Sequence, residues 1–222
     1  MPKRLYVLLA VGAILLAAVT AMVWPGRAKI SGQTAEDRIA AIRRLADEQP
    51  RGAADAIKSA ATDPDAGVRQ AAMVCLGRFK RPEDRGTIEA GTRDASEAVR
   101  AAAAGTLGFY ADEAAADRLG EVLTTDTAPA ARIGATQGLA RARGPKAYVF
   151  LAEAMDQDPD PQVRLKAMQR LLRLMKLRRP NPPDPRDLPR WRSLTAKIRA
   201  FHPVQDAFKR VRPTASTGDQ TK

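Results

Sequence analysis

The sequence has very few of the side chains that usually build metal and redox sites. It holds one histidine, His202, and one cysteine, Cys75, whereas a metal centre needs several such ligands to converge. A single cysteine excludes an intramolecular disulfide, so cysteine usage does not indicate a redox compartment. No metal and no cofactor are therefore predicted, and Cys75 is interpreted as a small buried apolar residue.

Aromatic side chains and catalytic motifs are also scarce. Aromatic residues make up 5% of the chain, and much of the apolar content is alanine, which favours a thin helical core over a sheet sandwich. The sequence has no glycine-rich phosphate loop and no Gly-x-Ser-x-Gly motif. Acidic residues are common, but they recur about one repeat apart, as described below. They do not form the close pair of carboxyl groups that acid–base catalysis uses. These absences predict a non-catalytic protein with no evident small-molecule substrate.

Positive charge is concentrated near the C-terminus. Between Met1 and Val163 the chain has 21 Lys or Arg and 21 Asp or Glu, whereas between Arg164 and Arg212 it has 15 Lys or Arg and 3 Asp. The formal net charge of +12 therefore comes from one segment. Such an asymmetry indicates an anionic partner.

An apolar run without charges lies near the N-terminus. Residues 5–24 follow Lys3 and Arg4 and contain no charged side chain. At ~1.5 Å of rise per residue, a helix over this run is about 30 Å long, which matches the apolar core of a bilayer. We predict a single-pass transmembrane anchor within residues 1–27. A cleaved signal peptide, with small residues at 19–21, and a buried soluble helix are the alternatives, although the apolar part of a signal peptide normally has only ~7–15 residues.

The flanking charges predict how this anchor is oriented. Lys3, Arg4 and the free amine favour an N-terminus that stays inside, whereas Arg27, Lys29 and the basic residues after them favour the reverse. We expect the first arrangement. It places the protein in the cytoplasmic (inner) membrane with the repeats on the periplasmic, extracytoplasmic side.

A short pattern recurs through the middle of the chain. Its fullest copy begins with Asp63-Pro64-Asp65 and continues through Val68, Arg69, Ala72 and Leu76. One column of the pattern is Arg38, Arg69, Arg100, Arg132 and Arg164, and another is Leu45, Leu76, Leu107, Leu139 and Leu171. Both columns keep a period of 31 or 32 residues through five copies, which indicates stacked helical repeats. Each unit after the first is expected to hold two helices, with the aspartate in the turn between them.

The repeated residues have structural roles that their chemistry suggests. The aspartate can accept the unpaired N–H groups at the start of the second helix. The arginine six residues later has five donors, enough to bridge an aspartate in its own repeat and one next door. We predict a structural repeat ladder that consists of Asp63, Arg69, Asp94, Arg100, Asp126, Arg132, Asp158 and Arg164.

On these Asp, Val, Arg, Ala and Leu columns, the chain resembles the HEAT-like repeat family, in the short bacterial form also seen in phycobilisome-lyase-type proteins. The resemblance covers roughly residues 34–179. It implies an all-α fold, an α-solenoid of about five repeats whose second helices line a concave protein-binding face. Some members are enzymes or bilin lyases, but this sequence carries none of their chemistry. The expected domains are the anchor at 1–27, the solenoid at 28–179 and a C-terminal part at 180–222.

The C-terminal part is predicted to consist of a proline-rich spacer, a basic amphipathic helix and a disordered tail. After the spacer, Trp191, Leu194, Ile198 and Phe201 recur at helical spacing. The residues predicted to bind a partner or an anionic surface are Arg190, Trp191, Arg192, Lys197, Arg199, Lys209, Arg210 and Arg212. An alternative is that this helix folds back and caps the open end of the solenoid.

Two classes of function follow from these features. The first is a membrane-tethered, non-catalytic scaffold or accessory subunit that binds a protein, for example within a membrane complex. The second is a binder of an anionic surface, either lipid head groups or nucleic acid, through the basic C-terminal segment. Nucleic acid is the less favoured of the two surfaces, because aromatics are few and an anchored chain meets little of it.

Overall fold

The fold is all-helical throughout the part of the chain that the computed structural model describes, residues 28–176 and 187–211. The helices are α1 (Ala35–Glu48), α2 (Ala53–Ser59), α3 (Ala66–Phe79), α4 (Arg85–Gly91), α5 (Glu97–Leu107), α6 (Glu113–Thr125), α7 (Pro129–Ala142), α8 (Gly144–Gln157), α9 (Pro161–Leu174), α10 (Leu188–Arg199) and α11 (His202–Val211). Short 3₁₀ turns over Ala60–Thr62 and Pro82–Asp84 adjoin α2 and α4. The all-α prediction is thus confirmed for these residues.

The helices form two layers, as stacked repeats require. The pairs α2/α3, α4/α5, α6/α7 and α8/α9 follow one another, and α1 lies where the second helix of a preceding pair would lie. Each of the second helices α1, α3, α5, α7 and α9 packs against the next one in the series. We call their common surface the second-helix face.

The repeat columns form the core between the layers. Leu76, Leu107, Leu139 and Leu171 are fully buried, and so are the middle-column alanines Ala72, Ala103, Ala135 and Ala167. Burying a leucine side chain contributes about 1.5–3 kcal/mol, while alanine lets neighbouring helices approach. One continuous apolar cluster extends from α1 to the C-terminal helices.

The closest approach in the core joins α5 to α7. A Cβ atom added at Gly138 would overlap with the carbonyl oxygen of Ala104, and one added at Gly134 would overlap with that of Ala101. On α5's side, a Cβ at Gly108 would overlap with the backbone of Gly138. The backbones of α5 and α7 therefore touch, which only glycine at these positions allows.

The helix ends confirm one predicted cap and correct another. At α1, Thr34 and Asp37 form the expected capping box. In the later repeats the column aspartate does not cap the second helix itself. Asp63 instead accepts the N–H of Asp65 at 2.9 Å, and Asp65 caps α3 by accepting the N–H of Val68. The Asp-Pro-Asp turn thus places its first aspartate two residues before the cap, where it is free to reach a neighbouring repeat.

The start of α2 also differs from expectation. Because proline is common at the first position of a helix, the sequence predicts that α2 begins at Pro50. The carbonyl oxygen of Pro50 instead accepts the N–H of Ala53 in a turn. Gly52 then takes a left-handed φ of 79° and precedes the first helical residue, Ala53. The chain needs this glycine to turn between α1 and α2, so the helix begins three residues later.

The C-terminal helices α10 and α11 pack against α8. Trp191, Ile198 and Val204 are buried and belong to the same apolar cluster as the repeats. Leu194 is half-buried, whereas Phe201 at the end of the predicted stripe is 39% exposed. We call residues 187–211 the C-terminal extension, and its contacts are those expected of a segment that folds back on the solenoid.

The predicted membrane anchor at residues 5–24 lies outside the described residues. Among the helices that are described, none is both long enough and apolar enough to cross a bilayer. Most of the proline-rich spacer and the predicted disordered tail also lie outside the described residues.

Candidate interaction surface

The aspartate–arginine ladder links consecutive repeats. Arg69 donates from Nε and Nη2 to the two carboxylate oxygens of Asp94 in the next repeat, at 2.8 and 2.9 Å. Its Nη1 donates to the carbonyl oxygens of Asp63 and Pro64 in its own repeat. Arg100 makes the same set of contacts one repeat later, with Asp126 as the acceptor. The prediction of a bridge between repeats thus holds, but the contact within a repeat is to backbone carbonyls instead of to a carboxylate.

The ladder is continuous from α1 to the last repeat. Arg38 pairs with Asp63 in the same two-bond geometry, and Arg132 pairs with Asp158. The Arg132–Asp158 pair is the most buried of the series, with side chains 8% and 4% exposed. Arg164, the last ladder arginine, donates to the carbonyl oxygens of Asp158 and Pro159.

Pairing with arginine lowers the pKa of the ladder carboxylates Asp63 and Asp94. Hydrogen bonds from Arg38 hold the pKa of Asp63 below its usual value, although burial acts in the opposite direction. Hydrogen bonds from Arg69 do the same to the pKa of Asp94. Carboxylates of this kind stay ionised and saturated with donors, so they suit stacking of repeats and not proton transfer.

The predicted binding residues of the C-terminal extension fall into two groups. Arg190, Arg192, Lys197, Lys209 and Arg210 are exposed to solvent. Arg199 instead donates to Asp156 of α8 at 3.1 Å and lies over the ring of Phe208. Arg212 lies outside the described residues.

Trp191 belongs to neither group because its side chain is interior. It is 1% exposed, and its Nε1 donates to the carbonyl oxygen of Met155 on α8 at 2.8 Å. Nearby, Thr195 donates to Asp156. In this arrangement the indole holds the extension on the solenoid and is not available to a partner. Binding through the exposed cations stays a prediction.

A second column with the repeat period lies on the second-helix face. It stands nine residues after each ladder arginine and consists of Asp47, Arg78, Phe109, Arg141 and Arg173. Arg78 pairs with Asp47 of the preceding repeat. Arg141 lies over the ring of Phe109, with the guanidinium carbon 4.4 Å from the ring centre. We call this set the outer column.

A shallow groove runs beside the outer column. Its lining includes Val74, Ala101, Ala102 and Phe109 as the apolar part. Val74 is 53% exposed and Phe109 is 38% exposed, and both are large apolar side chains. Exposed apolar groups gathered in a groove with a polar rim are typical of a protein-interaction site.

Arg141 is the most constrained charge of this groove. Its Nη1 donates to the carbonyl oxygen of Gly105. With the Gln137 amide oriented so that its oxygen faces the guanidinium, Nη1 and Nη2 also donate to that oxygen. Burial, together with the like charge of Arg170, lowers the pKa of the Arg141 guanidinium. Within the described ranges no carboxylate pairs with Arg141, so this cation is held in place by neutral groups.

The sequence contains a signal for this groove that residue-type matching misses. The outer column has the same period as the ladder, but its members differ in type from repeat to repeat. A search for recurring residues therefore passes over it. A search for surface positions at a fixed offset from the ladder arginine would find it.

A metal site is not evident in the described part of the chain. In residues 28–176 and 187–211, no group of three or more His, Cys, Asp or Glu side chains is arranged so that it could hold a metal ion. Cys75 is buried, as predicted, and burial raises the pKa of its thiol.

Comparison with known families agrees with this architecture. Residues 85–171 match the family model for HEAT repeats. The match spans α4 to α9 and supports the HEAT-like part of the resemblance drawn from the columns. No curated protein matches the chain. HEAT repeats suggest a protein-interaction scaffold, which is a generally non-catalytic use of the fold.

Proposed function

We propose that this protein is a membrane-tethered, non-catalytic scaffold that binds another protein along its second-helix face, as an accessory subunit of a membrane complex. The observation that carries the proposal is the groove in which Val74 and Phe109 remain exposed beside the outer column. It lies where HEAT-like repeats present their binding surface. The ladder residues are already engaged with one another, so they act in stacking.

The tether in this proposal is the apolar run at residues 5–24. Its length supports a single span, and Lys3, Arg4 and the free amine before it support an extracytoplasmic position of the repeats. A C-terminal alkaline phosphatase fusion tests this topology, since the reporter is active only outside the cytoplasm. We expect this fusion to be active. If a reporter that works only in the cytoplasm is active at the same position instead, the orientation is the reverse of the proposed one.

The binding face is tested by site-specific photocrosslinking in the native membrane. A photoreactive residue at Val74 of the full chain should yield one discrete crosslinked partner at a constant ratio. The matched control is the same residue at Ala90, which is exposed on the first helix α4, and it should yield none. Phe109→Ala should weaken the Val74 product. Equal products from both positions, or none from either, would contradict the proposal.

A second function is supported by the outward cations of the C-terminal extension. Arg190, Arg192 and Lys197 stay exposed while the apolar side of α10 is packed on α8. They support binding to anionic lipid head groups, to which each basic residue contributes about 1 kcal/mol. Flotation with vesicles containing phosphatidylglycerol tests this, and Arg192→Gln with Lys197→Gln should reduce the bound fraction most at low salt.

A further inference from the structure

The solenoid is neutral as a whole, but its charges are divided between the two layers. Apart from the ladder arginines, the second helices α3, α5, α7 and α9 carry Arg78, Arg141, Lys166, Arg170 and Arg173. In these four helices the only acidic residue is Glu97, at the start of α5. The first helices α6 and α8 have an excess of acids, since they carry the bases Arg118 and Lys146 and the acids Glu113, Asp117, Glu121, Glu153 and Asp156. The second-helix face is therefore basic from α3 to α9.

The strongest unmet charge on this face is at Arg141. Neutral groups fix its guanidinium, and burial, followed by the like charge of Arg170, lowers its pKa. A partly buried guanidinium that contacts only neutral groups favours a carboxylate, with which it can form charge-assisted hydrogen bonds. Arg78, on the other side of the groove, is engaged with Asp47 only in an exposed pair, and such pairs contribute little.

The same groove also has exposed apolar side chains that a ligand can cover. Val74, Ala101, Ala102 and Phe109 line it together with Arg78 and Arg141. A ligand that satisfies this surface therefore combines carboxylates with apolar side chains along a short length.

We propose that the second-helix groove binds an acidic segment of the partner protein, in which carboxylates that face Arg78 and Arg141 alternate with apolar side chains that cover Val74 and Phe109. This inference rests on the proposed function and adds the chemical class of the partner. Its basis is charge complementarity: the repeats present a basic face on which these two apolar side chains are still exposed.

A protein segment fits this groove better than nucleic acid does. Single-stranded nucleic acid binds by stacking its bases on free aromatic rings. The one exposed aromatic of the groove, Phe109, already lies beneath Arg141 and has Lys80 at 5.3 Å from its ring centre. Aliphatic side chains can pack on Val74 and the edge of Phe109 without displacing these cations.

The test measures fluorescence anisotropy with the full chain in a non-ionic detergent. The probes are a labelled peptide of alternating glutamate and leucine, a lysine–leucine peptide and a labelled oligothymidylate. Arg78→Gln with Arg141→Gln should weaken binding of the glutamate–leucine peptide by about tenfold or more, because charge-assisted hydrogen bonds are lost. The matched control, Arg192→Gln with Lys197→Gln, removes the same charge from the C-terminal extension and should change affinity by less than about twofold.

A second pair of variants distinguishes a loss of binding from a folding defect caused by the change at Arg141. Val74 is exposed, so Val74→Glu and Val74→Lys should leave the thermal unfolding midpoint unchanged. The first should weaken binding of the glutamate–leucine peptide, and the second should strengthen it. Equal losses in both double variants, no response at Val74, or a face-dependent preference for oligothymidylate would each overturn the proposal. If a partner still crosslinks at Val74 while the peptide ignores these changes, the scaffold function stands and the acidic-segment inference fails.

Discussion

At the scale of single residues, the ladder arginine is what joins one repeat to the next. Arg100 uses Nε and Nη2 for the carboxylate of Asp126, and Nη1 for the carbonyl oxygens of Asp94 and Ala95. A planar guanidinium can meet both sets of acceptors at once, whereas a lysine ammonium is a compact point charge. The column therefore requires arginine and not merely a positive charge.

We expect Arg100→Lys to lower the free energy of unfolding by about 1–3 kcal/mol, since the two-bond pair and the carbonyl contacts are lost while the charge is kept. Urea denaturation followed by circular dichroism measures the change. The control is Arg190→Lys at a position whose side chain is 81% exposed, where the change should stay within about 0.5 kcal/mol. Equal effects would mean that ladder geometry does not matter.

The ladder also predicts acid lability. The pKa values of Asp63 and Asp94 are lower in the folded state because Arg38 and Arg69 hydrogen-bond to the charged forms. Their contribution to stability is complete above the ordinary aspartate pKa of about 3.9 and is lost as the pH falls through the lower folded values.

Unfolding in urea between pH 7 and pH 3 should show this loss as a falling midpoint at the acid end. Asp94→Asn should be less stable at pH 7 and should lose less on acidification, because one titrating pair is gone. If Asp94→Asn and the parent lose the same stability in acid, then this pair does not cause the dependence.

At the scale of secondary-structure elements, the contact between α5 and α7 has the least tolerance. Gly138 of α7 faces the carbonyl oxygen of Ala104, which belongs to a helix backbone and cannot rotate away. In contrast, nothing lies within 4 Å of a Cβ added at Gly86 in α4. The two glycines thus predict opposite responses to the same substitution.

Gly138→Ala should destabilise the protein by about 1–3 kcal/mol or more, because the helices must move apart. Gly86→Ala should stabilise it by about 0.5–1 kcal/mol, because alanine favours the helix and meets no neighbour. Thermal unfolding of the two variants checks the signs. A neutral Gly138→Ala would show that α5 and α7 can separate at no cost.

Trp191 is the largest buried side chain that holds the C-terminal extension on the solenoid. Trp191→Ala should cost about 3–5 kcal/mol, since it empties a buried site and leaves the carbonyl oxygen of Met155 without its donor. Phe201→Ala, at a 39% exposed position, is the control and should cost far less. Protection of α8 amides in hydrogen exchange would report the loss. Unchanged protection in Trp191→Ala would contradict a fold-back role.

At the scale of the whole molecule, the periodic columns were sufficient to predict the repeats. The ladder partners can be predicted because aspartate and arginine recur at one spacing. The Thr-x-x-Asp spacing of Thr34 and Asp37 likewise predicts their capping box. The start of α2 cannot be predicted in this way, because the turn at Gly52 depends on the direction of the chain after α1. The identity of the helix cap was missed since Asp63 and Asp65 are equally good candidates until the neighbouring Arg38 is placed.

The groove was harder to predict because a count of charges averages over both layers. The repeats are neutral in sequence, so their net charge does not indicate a charged face. The fold separates Arg141 and Arg170 on one side from Asp117 and Glu121 on the other. Net charge along a chain cannot report this division, which appears only when each residue is assigned to a first or a second helix.

The contact of backbones between α5 and α7 has a mechanical consequence. Because Gly134 and Gly138 already touch the opposite backbone, this junction cannot be compressed. Any bending of the solenoid under load, or on closing around a ligand, must then be taken up at the junctions on either side of it. We therefore expect the α5–α7 junction, which lies between Phe109 and Arg141, to resist compression, so that a ligand of the groove meets a nearly constant spacing there.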